Sequence, residues 1–148
     1  MRRLGLSLFV LMASVSALAA QTPRTIEILG TDDMKFSVTK ITARPGELIR
    51  IKLTSKGVIP KVAMAHNFVL LKLGTNAQKF IDAGAPDRAN DFIAPAMKGQ
   101  VIAASKFAGP GETVYVTFKA PDKPGAYTYL CTFAGHFQAG MKGVLTVK

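Results

Sequence analysis

Two histidines and one cysteine are all that the 148-residue chain offers of those types. Cys131, His136 and Met141 stand together in C-T-F-A-G-H-F-Q-A-G-M near the end of the sequence. His66 closes the stretch I-P-K-V-A-M-A-H, and Asn67 follows it. Two imidazoles, one thiolate and a weak thioether form a ligand set that selects copper, because His₂Cys in a plane with a long axial Met is the electron-transfer copper arrangement. A thiolate supplies a covalent electron path and suits Cu(I), and imidazole suits both oxidation states.

Each residue also has a plainer reading. A lone Cys is commonly a small buried hydrophobe, a Met near a C-terminal strand is commonly core packing, and a lone His is commonly a satisfied core residue. These readings would have to coincide in a chain with no spare His or Cys. Zinc competes as the metal, since Cys and His bind it, but the methionine fits an electron carrier better. A copper enzyme, such as a nitrite reductase fragment or an oxidase domain, needs further ligands, and there is no third histidine. The expectation is therefore a carrier that is not an enzyme and takes no small-molecule substrate. A copper-handling protein, a chaperone or store, is the alternative; it would favour exposed Met and His clusters, whereas this chain has a single set.

The elements that must position these residues read as strands. Short alternating segments separated by Gly, Pro, Asn and Asp predict an all-β sandwich or barrel. Strands are expected at Thr25–Leu29, at Lys35–Thr39 with Ile41–Ala43, and at Glu47–Thr54, where Ile49, Ile51 and Leu53 share one face. Others are expected at Asn67–Leu73, Glu112–Lys119, Gly125–Cys131 and Met141–Lys148. Between Thr75 and Phe92 the spacing of Ala77, Phe80 and Ile81 is helical, with Thr75 read as the N-cap and Gly84 as the stop, so a short helical flap lies on the sandwich. The candidate ligands all fall at strand ends, where a rigid sandwich can bring them together.

The first twenty residues, with Arg2-Arg3 followed by an uncharged apolar run and small residues, read as an export signal peptide (1–20), leaving one domain at 21–148. Without Arg2 and Arg3 the formal net charge falls from +10 to +8. The basic residues are scattered. That favours encounter with acidic partners or an anionic membrane surface, not nucleic acid, for which a basic run interleaved with aromatics is missing. In an exported chain a single cysteine has no partner for an internal disulfide.

The motif C-T-F-x-G-H followed by M-K-G, and preceded by I-P-K and M-x-H-N-F-V-L, resembles the azurin and auracyanin branch of the cupredoxins over about Ile28 to Lys148. The resemblance implies a Greek-key β-sandwich holding one type 1 (blue) copper. His66, Cys131 and His136 would be equatorial ligands and Met141 the axial one, with the carbonyl of Ala65 opposite it as a weak contact. Around them, Asn67 would brace the two ligand loops, and Asn67 and Phe133 would aim backbone N–H groups at the thiolate; Thr132 belongs to the same shell. Met64, Phe133, Ala134, Gly135 and Phe137 would form an apolar partner patch around the edge of His136. A monomeric periplasmic carrier serving transient redox partners, such as a c-type cytochrome, a reductase or an oxidase, follows from the resemblance. Four residues separate His136 from Met141, as in auracyanins and plastocyanins, where azurins have three. Ala134 replaces a common proline and Ala65 a glycine, and the disulfide usual in azurins cannot form.

Overall fold

The computed structural model describes residues 22–148; the signal peptide read at 1–20 lies outside the described residues. The strands are β1 (Arg24–Thr31), β2 (Lys35–Phe36), β3 (Lys40–Ala43), β4 (Leu48–Lys56), β5 (Val69–Leu71), β6 (Val101–Ala104), β7 (Thr113–Lys119), β8 (Gly125–Leu130) and β9 (Lys142–Val147). They form a four-stranded sheet in the order β2-β1-β4-β7 and a five-stranded sheet in the order β3-β9-β8-β5-β6. Two pairs, β1 with β4 and β3 with β9, are parallel, and the rest are antiparallel. The fold is thus a mostly-β sandwich of two mixed sheets.

Alternation explains β4. Ile49, Ile51 and Leu53 are fully buried against the other sheet, while Arg50 is exposed and Lys52 and Thr54 are partly so. Burying such a side chain contributes roughly 1.5–3 kcal/mol. Between the sheets runs a row of rings, Phe36, Tyr129, Phe68 and Phe118, with successive centroids 5.9, 4.9 and 6.2 Å apart. Tyr129 is fully buried, and its hydroxyl donates to the Val38 carbonyl (2.7 Å), so its polar end is satisfied.

The helical segment is α1 (Ala77–Gly84), followed by two 3₁₀ turns, Arg88–Asn90 and Pro95–Gln100. Its N-cap is Asn76, whose side chain accepts from the Lys79 N–H (2.9 Å), not Thr75 as the sequence suggested. Thr75 instead donates its N–H to the Lys72 carbonyl in the preceding turn. Phe80 and Ile81 of the helix join Val69, Leu71, Ile93, Leu130 and Phe137 in a second apolar cluster outside the five-stranded sheet. Buried on both faces, β5 has no need of alternation, which explains its uniform V-L-L. Strand β6 was not anticipated: V-I-A-A is short and does not alternate, and its pairing with β5 carries a register shift at Leu70/Leu71. Among the described residues no helix is long and apolar enough to cross a membrane.

Candidate metal centre

At one end of the sandwich, the chain just before β5, the exit of β8 and the loop before β9 meet. His66 is fixed by a reciprocal backbone pair with Ala108: its N–H donates to the Ala108 carbonyl (3.0 Å), and Ala108 donates back (2.8 Å). Its imidazole packs on Gly30 of β1, where any Cβ would lie 2.7 Å from the ring carbon Cδ2. Only glycine allows that approach without displacing the ring.

The second ligand strand supplies the rest. The Cys131 N–H donates to the Met141 carbonyl (3.1 Å), and the Met141 N–H donates to the His136 carbonyl (2.9 Å), so the loop closes on itself. Bonds from His136 N–H to Phe133 and from Gly140 N–H to Phe137, both 3.0 Å, complete its turns, and Gly140 adopts φ +95°. From β2, the Lys35 ammonium donates to the Ala139 carbonyl and ties the loop to the four-stranded sheet. Met141 is fully buried.

The ligand atoms of His66, Cys131 and His136 all lie within 4.8 Å of one another. Cys131 Sγ is 3.4 Å from His136 Nδ1 and 3.8 Å from the Ala65 carbonyl oxygen. The three residues are 0–1% exposed. Around them, Asn67 and Thr132 are locked together: the Thr132 N–H donates to Asn67 Oδ1 (2.9 Å), and Asn67 Nδ2 donates to Thr132 Oγ1 (2.8 Å). The Thr132 hydroxyl then donates to the Asp91 carbonyl (2.7 Å). Such shells hold ligand side chains in place.

Electrostatics bear on what the cluster can hold. Burial pushes the Cys131 thiol up to about 12, opposed by the backbone N–H groups of Asn67 and Phe133, which favour the thiolate. Burial, and then the neighbouring His66, pull His136 down to about 4. His66 is lowered by burial, with the Asp32 charge acting the other way. Both ring nitrogens of His66 are buried without a hydrogen-bond partner. An orphaned buried polar group costs about 1–3 kcal/mol, and a cation among these atoms removes that cost while stabilising a thiolate. The residues present therefore fit a bound metal, and the sulfur–imidazole set with Met141 fits copper.

Part of the expected patch is arranged differently. Ala134 and Gly135 are exposed, but Phe137 (8% exposed) packs in the cluster under α1, and Met64 is only 9% exposed. An exposed apolar side chain beside the site is Val62 (69%), which lines a depression with Ala65 and Phe133. His136 itself is only 1% exposed. Sequence reading also missed a ring cluster beside the site. Phe92, Phe107 and Phe133 meet edge to face with centroids 5.6–6.2 Å apart, and Phe133 lies 4.8 Å from His136. Asp91 and Phe92 reach it through consecutive positive φ values of 55° and 56°, for which the local sequence carries no glycine signal. Gly30, Ala108 and Asp91 were missed as well, since each acts through its backbone or its lack of a side chain.

Residues 25–148 match the family of copper-binding proteins that comprises plastocyanin and azurin. Azurin of Pseudomonas aeruginosa is 34% identical over 151 aligned positions, spanning all of this chain and 99% of that protein. Auracyanin-B of Chloroflexus aurantiacus is 32% identical over 130 positions; the match takes in 86% of this chain but only 54% of that protein, so the chain spans about half the length of this relative. Among solved structures, auracyanin A of the same genus, a blue copper protein, has a TM-score of 0.74 at 35% identity, covering 86% of this chain and all of that one. The dithionite-reduced auracyanin of Roseiflexus castenholzii has a TM-score of 0.73 at 32% identity, covering 87% and 99%.

Proposed function

The chain belongs to the plastocyanin/azurin family of copper-binding proteins, and on that premise we propose that it is an exported one-electron carrier with one type 1 copper. The observation that carries this reading is the buried, pre-assembled cluster: three ligand residues 0–1% exposed, with both nitrogens of His66 unpartnered. The metal, when bound, supplies one-electron chemistry between Cu(I) and Cu(II). The protein's part is to hold His66, Cys131 and His136 in one geometry for both states, so that little moves when the charge changes. Met141 would join His66, Cys131 and His136 in holding the metal, its thioether adjusting the potential, and the Ala65 carbonyl would offer a further weak contact. Asn67, Thr132 and Phe133 steady the thiolate through the hydrogen bonds described above. Nothing in this chemistry calls for a general acid or base, and the protein is not an enzyme.

Electrons enter and leave through the thin cover over His136, where Ala134 and Gly135 are exposed and Val62 adds apolar surface beside Ala65. A small surface of that kind suits transient redox partners such as a c-type cytochrome, a reductase or an oxidase. Residues 1–20 act as the signal peptide and 21–148 as the single, monomeric copper domain, working in the periplasm.

The rival reading is copper handling, a chaperone or store. Burial of all three ligands argues against it, because metal transfer between proteins needs an accessible ligand. Residues 21–148 loaded with Cu(II) separate the two. A carrier gives a reversible one-electron voltammetric wave, exchanges electrons rapidly with a c-type cytochrome and keeps its metal against a competing chelator. Fast metal loss to the chelator together with sluggish electron exchange would reject the carrier.

A further inference from the structure

The end of the sandwich remote from the ligands carries unpaired positive charge around an apolar centre. Strand β8 starts at Gly125 and reaches Cys131 only after Leu130, so its start lies about 20 Å from the ligand cluster. Gly125 packs on Leu73, where a Cβ would be 2.9 Å from Leu73 Cδ1. Here a cleft of 700 Å³ is lined by Lys72, Leu73, Ile102, Lys119, Pro121 and Lys123. All three lysines are exposed, and Leu73 is 39% exposed. Among the described residues none of the three lysines is in an ion pair, whereas at the ligand end Lys61 pairs with Glu112 and Lys106 with Asp91. The carboxylate on the same loop, Asp122, is turned toward Gly46, a Cβ on which would lie 3.4 Å from Asp122 Oδ1. The adjoining turn adds Arg44 and Lys148, while Arg24 beside them is tied to Glu47.

We propose that this pole docks on the surface of an anionic phospholipid bilayer, leaving the His66–Cys131–His136 end pointing away from it. Lysines spread around the exposed Leu73 and the half-buried Pro121 match a plane of headgroup phosphates with apolar groups between and below them. Each lysine near such a surface contributes independently, and the attraction is confined to about a Debye length. The opposite end also has cations outside any ion pair, Lys56 and Arg88, but Lys61 and Lys106 there are neutralised by Glu112 and Asp91, and Asp32 beside His66 adds negative charge, so it has less to offer the same surface. Docking this way keeps the thin cover over His136 free for soluble partners while the carrier moves along the bilayer. The docking deepens the surface encounter read from the net charge and rests on that reading; only the orientation draws on the copper assignment.

Co-sedimentation of copper-loaded residues 21–148 with vesicles at low ionic strength tests this. The protein is expected to bind phosphatidylcholine vesicles containing phosphatidylglycerol and not those of phosphatidylcholine alone. Replacing Lys72, Lys119 and Lys123 together with Gln should weaken binding roughly a hundredfold, and each alone roughly fivefold. The same charge change at the ligand end, Lys56→Gln with Lys61→Gln and Lys106→Gln, should weaken it several-fold at most. Equal losses from the two triple variants, equal binding to neutral vesicles, or no binding at all would each overturn the proposal. The single variants keep the test valid if a triple variant fails to fold. Vesicle binding by a protein that formed no blue centre would reject the copper reading alone.

Discussion

Cys131 is held between opposing demands. Burial raises its thiol to about 12, while the N–H groups of Asn67 and Phe133 are arranged for a thiolate. At neutral pH the metal-free side chain stays protonated, so copper uptake must release that proton and tighten as pH rises. Met141 acts on the potential, not on the colour, in this scheme. Met141→Leu should keep the visible absorption and raise the reduction potential measured by voltammetry; an unchanged potential would count against the axial role. His136 supplies a second prediction, for the metal-free protein. Its folded-state value near 4 lies below the ordinary 6.5, so the unfolded chain binds more protons between those values and stability must fall as pH drops through that window. The loss approaches roughly 3 kcal/mol by pH 4, and His66, lowered in the same direction, adds to it. Urea unfolding of the metal-free protein across this range reads the effect, and a flat profile would contradict it. The candidate ligands were legible because their types are scarce in this chain. Gly30 and Ala108 were not, because a glycine under a ring and a backbone pair leave no trace in residue type, and each meets His66 across 36–42 positions of sequence.

At the scale of elements, the ligand loops are short and their supports long. β4 and β7 were readable from alternation, and the V-L-L of β5 makes sense once α1 is seen to cover its outer face. The boundaries of the flap were less legible. Thr75 and Asn76 are both good N-cap types, and which one caps depends on the preceding turn, where Thr75 is already bonded to Lys72. Asn76→Ala should therefore cost about 1 kcal/mol of stability, seen as a lower denaturant midpoint, and leave the spectrum of the copper-loaded protein unchanged. A comparable loss from Thr75→Ala with none from Asn76→Ala would return the cap to Thr75. Strand β6 escaped notice for a related reason: V-I-A-A gains its strand character only from pairing with β5.

For the whole molecule, positive charge shapes how partners arrive, and a formal +8 for residues 21–148 follows from +10 less Arg2 and Arg3. Exchange with an acidic redox partner should slow as the Debye length shrinks from about 10 Å at 0.1 M to about 3 Å at 1 M ionic strength. Stopped-flow rates without salt dependence would reject electrostatic steering. The proposed carrier role asks the two sheets, the covering helix and the cluster buried at one end to hold a metal that changes charge without leaving. The visible and EPR spectra of Cu(II)-loaded residues 21–148 test that most directly. Ligation by Cys131 and the two histidines gives an intense blue thiolate-to-copper absorption and a type 1 EPR signal, both lost in Cys131→Ser. A colourless product with a type 2-like EPR signal would contradict it.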